Sequence, residues 1–216
     1  MKAKITLLSL ATALTLASCG GEQATEVVTA PAVVVVQDTT PAMVVDTFKI
    51  ASEASEVKWV GTKLVGASHN GYIKLKEGWL GMSEGKLVSG EFTIDLSSIV
   101  DLDVKKASDN SRLVDHLKSA DFFNVDSFPT AHFLVSSATD STVTGNLTLR
   151  NITNAVTLPF DVKMMGDSDM IVLSKKFSIN RTKWGVMHAA GSIAGIAKDK
   201  IISDMIELEI SLNARK

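Results

Sequence analysis

A two-residue alternation of apolar and polar side chains, recurring from about residue 47 onward, constrains this chain more than any other feature. In the segment 86–96 the apolar side falls on even positions, at Val88, Gly90, Phe92, Ile94 and Leu96. Successive side chains of a β-strand point to opposite faces, so this pattern predicts a strand with one buried face and one solvated face. The pattern recurs at 143–149, 156–162 and 202–212, where Asp204 alone interrupts the apolar face.

Weaker alternation predicts further strands at Thr47–Ala51, Glu56–Leu64, His69–Leu80, Ala131–Ser137 and Asp169–Ile179. Turn residues such as Asn70-Gly71 are expected to separate the strands. The segment 111–123 instead places Leu113 and Leu117 at helical spacing, with Ser111 as the predicted N-cap. About nine strands and one short helix predict an all-β antiparallel fold. The period alone does not choose between a barrel and a sandwich.

The first 18 residues have the organisation of a signal peptide. A basic start, 1–4, precedes an apolar run, 5–16, that is too short to span a bilayer as a mature helix. Ala17 and Ser18 then precede Cys19, the only cysteine of the chain. This arrangement resembles the lipobox of bacterial lipoproteins. We therefore expect cleavage before Cys19, acylation of its thiol, and a membrane-anchored protein of the bacterial cell envelope, on the periplasmic or outer-membrane face.

Three regions follow from this interpretation. Residues 1–18 are the signal peptide, residues 19–46 are the lipidated cysteine and a flexible tether, and residues 47–216 are one folded domain. The tether prediction rests on Pro31 and Pro41, which interrupt a segment without lasting periodicity.

Composition and motif spacing exclude several functional classes. Lys and Arg number 22 against 24 Asp and Glu, so no bulk positive charge is available for gripping nucleic acid. The histidines lie outside the H-x-x-x-H and H-E-x-x-H spacings, at His69, His116, His132 and His188. The sequence thus predicts neither a metal site nor a cofactor. The segment 81–85 matches G-x-S-x-G, but it joins two alternating segments and predicts a hairpin turn, so we expect no catalytic residue and no enzyme activity.

A longer motif adds a family resemblance. Residues 116–123 (HLKSADFF), followed by Phe128-Pro129, resemble the HL-x-S-x-DFF…P pattern of the YceI-like, polyisoprenoid-binding family. Asn180-Arg181 with Trp184-Gly185 resembles the family's later NR-x-x-[FW]-G element. The pair 114–115 (VD) departs from the Arg-Asp that the family often carries before the His-Leu pair.

The resemblance extends from about Thr47 to Leu212 and implies an extended, lipocalin-like antiparallel barrel of about eight strands around an apolar channel. The inward faces of the predicted strands supply the candidates for its lining, with ordinary core packing as the alternative: Val88, Phe92, Ile94, Leu147, Leu149, Val156, Leu158, Phe160, Ile206 and Leu208. Arg181 and Trp184 are candidates for contact with a ligand head group. A structural arginine that binds loop carbonyls is the alternative for Arg181.

Two functions remain open on the sequence alone. The first is non-catalytic binding or transport of an isoprenoid or quinone-like lipid in the barrel of a membrane-tethered protein. The second is a structural or interaction lipoprotein whose barrel is filled with side chains. The expected partners are an isoprenoid-type lipid and the membrane reached through the N-terminal anchor, without nucleic acid, and a homodimer is left open.

Overall fold

The computed structural model describes residues 43–216, so the predicted signal peptide, Cys19 and most of the predicted tether lie outside the described residues. The strands are β1 (Asp46–Ile50), β2 (Glu56–Lys63), β3 (Ser68–Ser83), β4 (Lys86–Asp95), β5 (Val100–Asp101), β6 (Thr130–Ala138), β7 (Thr142–Leu149), β8 (Ile152–Met164), β9 (Asp169–Ser174), β10 (Phe177–Asn180) and β11 (Ile202–Arg215). The one α-helix of these residues is α1 (Ala107–Lys118), and short 3₁₀ turns occur at Ser52–Ala54, Leu96–Ser98 and Arg181–Trp184.

Eight strands close into an antiparallel ring in the order β11-β2-β3-β4-β6-β7-β8-β9, because β9 pairs back to β11. The long strand β11 makes this closure possible because it pairs with two ring strands in succession along its length. Its residues 202–211 pair with β2, and its residues 211–215 pair with β9. The ring confirms the prediction of an all-β, extended antiparallel barrel with one short helix.

The boundaries of three predicted elements differ from the structure. Asn70-Gly71 lies inside β3 rather than at a turn, because the β2–β3 hairpin turns at residues 64–67, where Gly66 has φ of 110°. Helix α1 begins at Ala107, so Ser111 lies within the helix and is not its N-cap. The first helical turn is polar and carries no apolar period, which is why the spacing of leucines located only the later turns. The predicted strand 169–179 is divided into β9 and β10.

The two ends of the barrel differ in what covers them. At one end, here called the packed end, the strands are joined by short connections at 84–85, 139–141 and 165–168. At the other, here called the mouth end, two long segments cross the barrel. These segments, which we call the roof, are α1 with residues 119–128, and residues 181–201. None of the helices in residues 43–216 is long and apolar enough to cross a membrane.

Candidate functional site

The barrel encloses a cavity of about 450 Å³ in its mouth half. Its walls are inward-facing aliphatic side chains of the ring strands, among them Val57, Ile73, Ile94, Leu147 and Leu149. This volume lies within the range of about 300–1,000 Å³ that is typical of small-molecule sites. The mouth half of the barrel therefore has room for a ligand.

The packed half of the barrel is filled by side chains. Only a void of about 30 Å³ remains there, close to the volume of one water molecule. Phe92 and Phe133 stack in this half with ring centroids 5.2 Å apart. The barrel is thus hollow at one end and solid at the other.

The channel residues named from the sequence divide between these halves. Those that line the large cavity are Ile94, Leu147, Leu149, Ile206 and Leu208. Those that surround the small void are Phe92, Leu158 and Phe160. Val156 is buried but lines neither space, and Val88 is only half-buried.

Val88 departs from the inward set because β4 carries an irregularity in its pairing with β3. The register shifts between the pairs Gly81↔Ser89 and Met82↔Leu87. One extra residue reverses which positions of a strand point inward, so Leu87 is buried in place of Val88. Both residues are apolar, and the alternation alone could not reveal the change.

The roof closes the cavity with aromatic and aliphatic side chains. Leu113, Leu117, Phe122 and Phe123 line it from the helical segment. The guanidinium of Arg150 donates to the carbonyls of Phe122, at 2.8 Å, and Gly185, at 2.9 Å, and so joins the two segments of the roof. Phe122 is buried against the cavity, so the DFF motif contributes a ceiling to the site.

Two histidines from different roof segments meet beside this ceiling. The rings of His116 and His188 are perpendicular with centroids 4.7 Å apart, and both residues line the cavity. Oδ2 of Asp121 lies 3.3 Å from Nε2 of His116 and 3.7 Å from Nδ1 of His188. The spacing of the histidines in the sequence did not indicate that His188, far along the chain, would join His116.

Arg181 lies in the wall of the cavity and is 1% exposed. Its guanidinium donates to the carbonyls of Val186, Ile202 and Ser203 at 2.7–3.0 Å. Burial lowers the pKa of this guanidinium, against an opposing attraction from Asp204. Its donors therefore hold the segment 181–201 onto β11, which is the arrangement expected of a structural arginine.

Trp184 is 2% exposed and does not border the cavity. Its indole N–H donates to the carbonyl of Leu147 at 3.0 Å, which anchors the second roof segment to β7. With that donor engaged by the backbone, the structure gives Trp184 an anchoring contact, and its head-group role stays a prediction.

A second polar cluster lies where β3 meets β5. Nδ1 of His69 is 3.0 Å from Oδ2 of Asp103 and 4.0 Å from Oδ2 of Asp101. Burial raises the pKa of Asp101. Burial opposes ionisation of Asp103 as well, but hydrogen bonds from the Asn70 backbone N–H and from His69 bring its pKa below the ordinary value. His69, which precedes the predicted Asn70-Gly71 turn, is thus a half-buried strand residue that joins this cluster. Of the three residues, only His69 also lines the cavity.

The polar side chains around the cavity are mainly basic. Those that line it are Thr62, Lys63, His69, His116, Arg181, His188, Lys200 and Ser203. Among the described residues that line the cavity there is no Asp or Glu. The rim accordingly offers hydrogen-bond donors and positive charge to whatever lies at the mouth.

Comparisons with known proteins agree with this architecture. Two solved structures share the fold, a Burkholderia cenocepacia protein named BcnA and a Saccharophagus degradans domain described as a polyisoprenoid binding domain implicated in plant cell wall breakdown. The first is 21% identical with a TM-score of 0.60, and 76% of this chain aligns with 98% of it. The second is 13% identical with a TM-score of 0.57, and 78% of this chain aligns with 97% of it.

Sequence relatives and a family model place the chain in a family. A UPF0312 protein of Staphylococcus aureus (strain USA300) is 33% identical over 106 residues, which are 45% of this chain and 61% of the relative. The chain thus spans about three-fifths of the length of this curated relative. The model of the YceI-like domain matches residues 48–214, nearly the whole described domain. On this match, the chain belongs to the YceI-like domain family.

Proposed function

We propose that this protein binds a lipid with a long apolar chain, of isoprenoid or quinone-like type, inside the mouth half of the barrel and without catalysing a reaction. The observation that carries the proposal is the cavity of about 450 Å³, walled by aliphatic residues, in a barrel that is otherwise packed. Cavities with apolar walls accept apolar guests.

The physical basis is transfer of the chain between two apolar surroundings. Each methylene exposed to water costs about 0.8 kcal/mol, so a prenyl chain leaves a bilayer only for a site that covers it comparably. Ile202, Ile206 and Leu208 face the cavity and are only half-buried, because they border empty space in place of packed side chains. A ligand chain would complete their burial.

The rim supports a particular class of head group. Lys63 and Lys200 supply donors and positive charge, and the histidine rings add hydrogen-bonding nitrogens that lie beside Asp103 and Asp121. Within residues 43–216, no carboxylate lines the cavity itself. A carbonyl, hydroxyl or phosphate head group accepts hydrogen bonds from such a rim, whereas a cationic head group would be repelled. We infer that the ligand has a neutral or anionic head group.

Family membership supports the same class of ligand, since a neighbour with the same fold is described as a polyisoprenoid binding domain. The predicted acylation of Cys19 would place the cavity near a membrane, where such lipids are found. A more specific form of the proposal is that the protein carries the bound lipid between membranes. The alternative is a structural or interaction lipoprotein with a side-chain-filled barrel. Only the packed half of the barrel fits that description.

Extraction of a copurified lipid is the direct test. Native mass spectrometry of the purified protein should show an added mass that organic extraction removes and recovers as a lipid. A protein without added mass, which also fails to bind decylubiquinone or farnesol added in solution, would contradict the proposal.

A matched pair of substitutions locates the ligand. Ala131 lines the cavity, whereas Ala155 is exposed on β8. The variant Ala131→Leu fills space that two or three methylenes of the ligand would occupy, and should raise the Kd for decylubiquinone by roughly 10- to 50-fold at about 0.8 kcal/mol per methylene. Ala155→Leu should leave the Kd unchanged. Equal affinities in both variants would place the ligand elsewhere.

A further inference from the structure

The carboxylate of Asp101 is buried with one of its oxygens unpartnered. Oδ1 accepts hydrogen bonds from the backbone N–H of Val104, at 2.9 Å, and from Nδ2 of Asn110, at 3.1 Å. Oδ2 has no hydrogen-bond partner, although the side chain is fully buried. A buried charged oxygen is costly unless a cation or a proton neutralises it. The unpartnered oxygen is therefore a place where a bound cation or a shared proton would be stabilised.

The groups that face this oxygen are metal-ligating types. His69, Asp101 and Asp103 each contribute one ligand atom, and these atoms lie within 4.8 Å of one another. Nδ1 of His69 is 3.0 Å from Oδ2 of Asp103 and 4.0 Å from Oδ2 of Asp101. A tetrahedral ion with bonds of about 2.1 Å separates its ligands by about 3.4 Å, so small shifts would admit one.

The surrounding contacts fix both carboxylates in matching orientations. In each aspartate Oδ1 is occupied, by Val104 and Asn110 in Asp101 and by the backbone N–H of Asn70, at 2.8 Å, in Asp103. Each Oδ2 is left to face His69. Partners of this kind, which orient the ligating atoms, are characteristic of metal sites.

We propose that His69, Asp101 and Asp103 bind a divalent transition-metal ion of the zinc class, through Nδ1 and the two Oδ2 atoms. One imidazole and two carboxylates suit Zn²⁺ or Mn²⁺. Three protein ligands leave a fourth position for water. His69 also lines the cavity, so the ion would lie at the edge of the mouth. The ion site does not depend on a lipid in the cavity.

Zinc titration tests the site. The purified protein, stripped with EDTA and dialysed, is titrated with ZnCl₂ by calorimetry at neutral pH, and its Tm is measured with and without zinc. We expect saturable binding and a zinc-dependent rise in Tm. Asp101→Asn should weaken zinc binding at least about tenfold, as even the loss of a supporting contact costs 10- to 100-fold.

Two further variants keep the result interpretable. His69→Ala removes a half-exposed ligand and should weaken zinc equally, even if Asp101→Asn does not fold. Asp140→Asn is the matched control, because Asp140 lies in the β6–β7 turn and its exposed carboxylate pairs with Lys86 at the start of β4, away from the proposed site. Zinc binding should survive in this control.

The outcomes separate the proposal from its competitors. Wild-type affinity in both Asp101→Asn and His69→Ala would overturn it. Loss of zinc binding in His188→Gln alone would also overturn it and assign the ion to the more exposed His116, Asp121 and His188 cluster. A wild-type protein that binds no zinc, with an Asp101→Asn variant of higher Tm, would show that a shared proton neutralises Asp101.

Discussion

A Cβ atom on Gly71 would overlap the carbonyl oxygen of Val100. The two residues lie on β3 and β5, which pair through Gly71↔Asp101 and Tyr72↔Val100. The missing side chain therefore allows β5 to lie directly against β3. The same approach brings the carboxylate of Asp101 to within 4.0 Å of the imidazole of His69.

Substitution of this glycine should destabilise the domain. Gly71→Ala forces β5 away from β3, and we expect a loss of about 1–3 kcal/mol in the free energy of unfolding, typical of overpacking. Gly61→Ala on β2 is the control, because its Cβ would first meet a Trp59 ring atom at 4.0 Å, an ordinary contact. Urea denaturation compares the two. If Gly71→Ala were as stable as Gly61→Ala, β5 could move away from β3 without a loss of unfolding free energy, and the prediction would be wrong.

The hollow and packed halves should respond differently to side-chain truncation. Phe160→Ala removes a ring that is 3% exposed in the packed half, and should cost about 3–5 kcal/mol of unfolding free energy. Ile206→Ala trims a half-buried wall residue that already borders empty space, and should cost less than about 2 kcal/mol. Similar losses in urea denaturation would indicate that the cavity collapses in solution.

Substitutions of Arg181 test whether this residue stabilises the fold or contacts the ligand. Arg181→Met leaves three carbonyls without their donor and should lower the free energy of unfolding by about 1–3 kcal/mol or more. Arg181→Lys should recover little of this, since a single ammonium cannot reproduce the guanidinium fork. The exposed Arg112→Met serves as the neutral control. If Arg181→Lys were fully stable but bound decylubiquinone more weakly, the head-group prediction would be favoured.

The predicted anchor is tested by fractionation. Cys19→Ser removes the thiol that the lipobox acylates and should move the protein from the membrane to the soluble fraction in detergent-free extracts. Ser18→Ala, which keeps a small residue before the cysteine, should remain membrane-bound. A Cys19→Ser variant that stays with the membrane after washing would contradict the anchor.

Most of the barrel could be predicted because its strands carry one buried and one solvated face. β7 and the start of β11 follow the alternation to within a residue. The two-residue strand β5 could not be recognised, because so short a segment has no period. The shift at Val88 was also hidden, since its neighbour Leu87 is equally apolar.

The site was less predictable than the fold for a physical reason. Aliphatic residues face inward in both halves of the barrel, and only the sizes of opposing side chains decide that Ile94 borders a cavity while Phe92 packs against Phe133. The His69 and Asp101 cluster joins segments about thirty residues apart through strand pairing, so no local spacing in the sequence indicated it. Spacing along the sequence therefore could not indicate that these residues lie together.

The described chain begins beside the packed end, where Asp46 of β1 pairs with Met82 near the β3–β4 turn. The mouth lies at the far end of β11, a strand of 14 residues that is roughly 45 Å long at about 3.3 Å per residue. If Cys19 carries the predicted lipid, the chain that comes from the anchor would enter the domain beside the packed end, opposite the opening. Residues 19–45 can span at most roughly 90 Å, enough for the domain to turn over. If the barrel also binds the proposed lipid, the orientation of the domain relative to its anchor would decide whether the opening faces the membrane that holds the anchor or an acceptor on the opposite side.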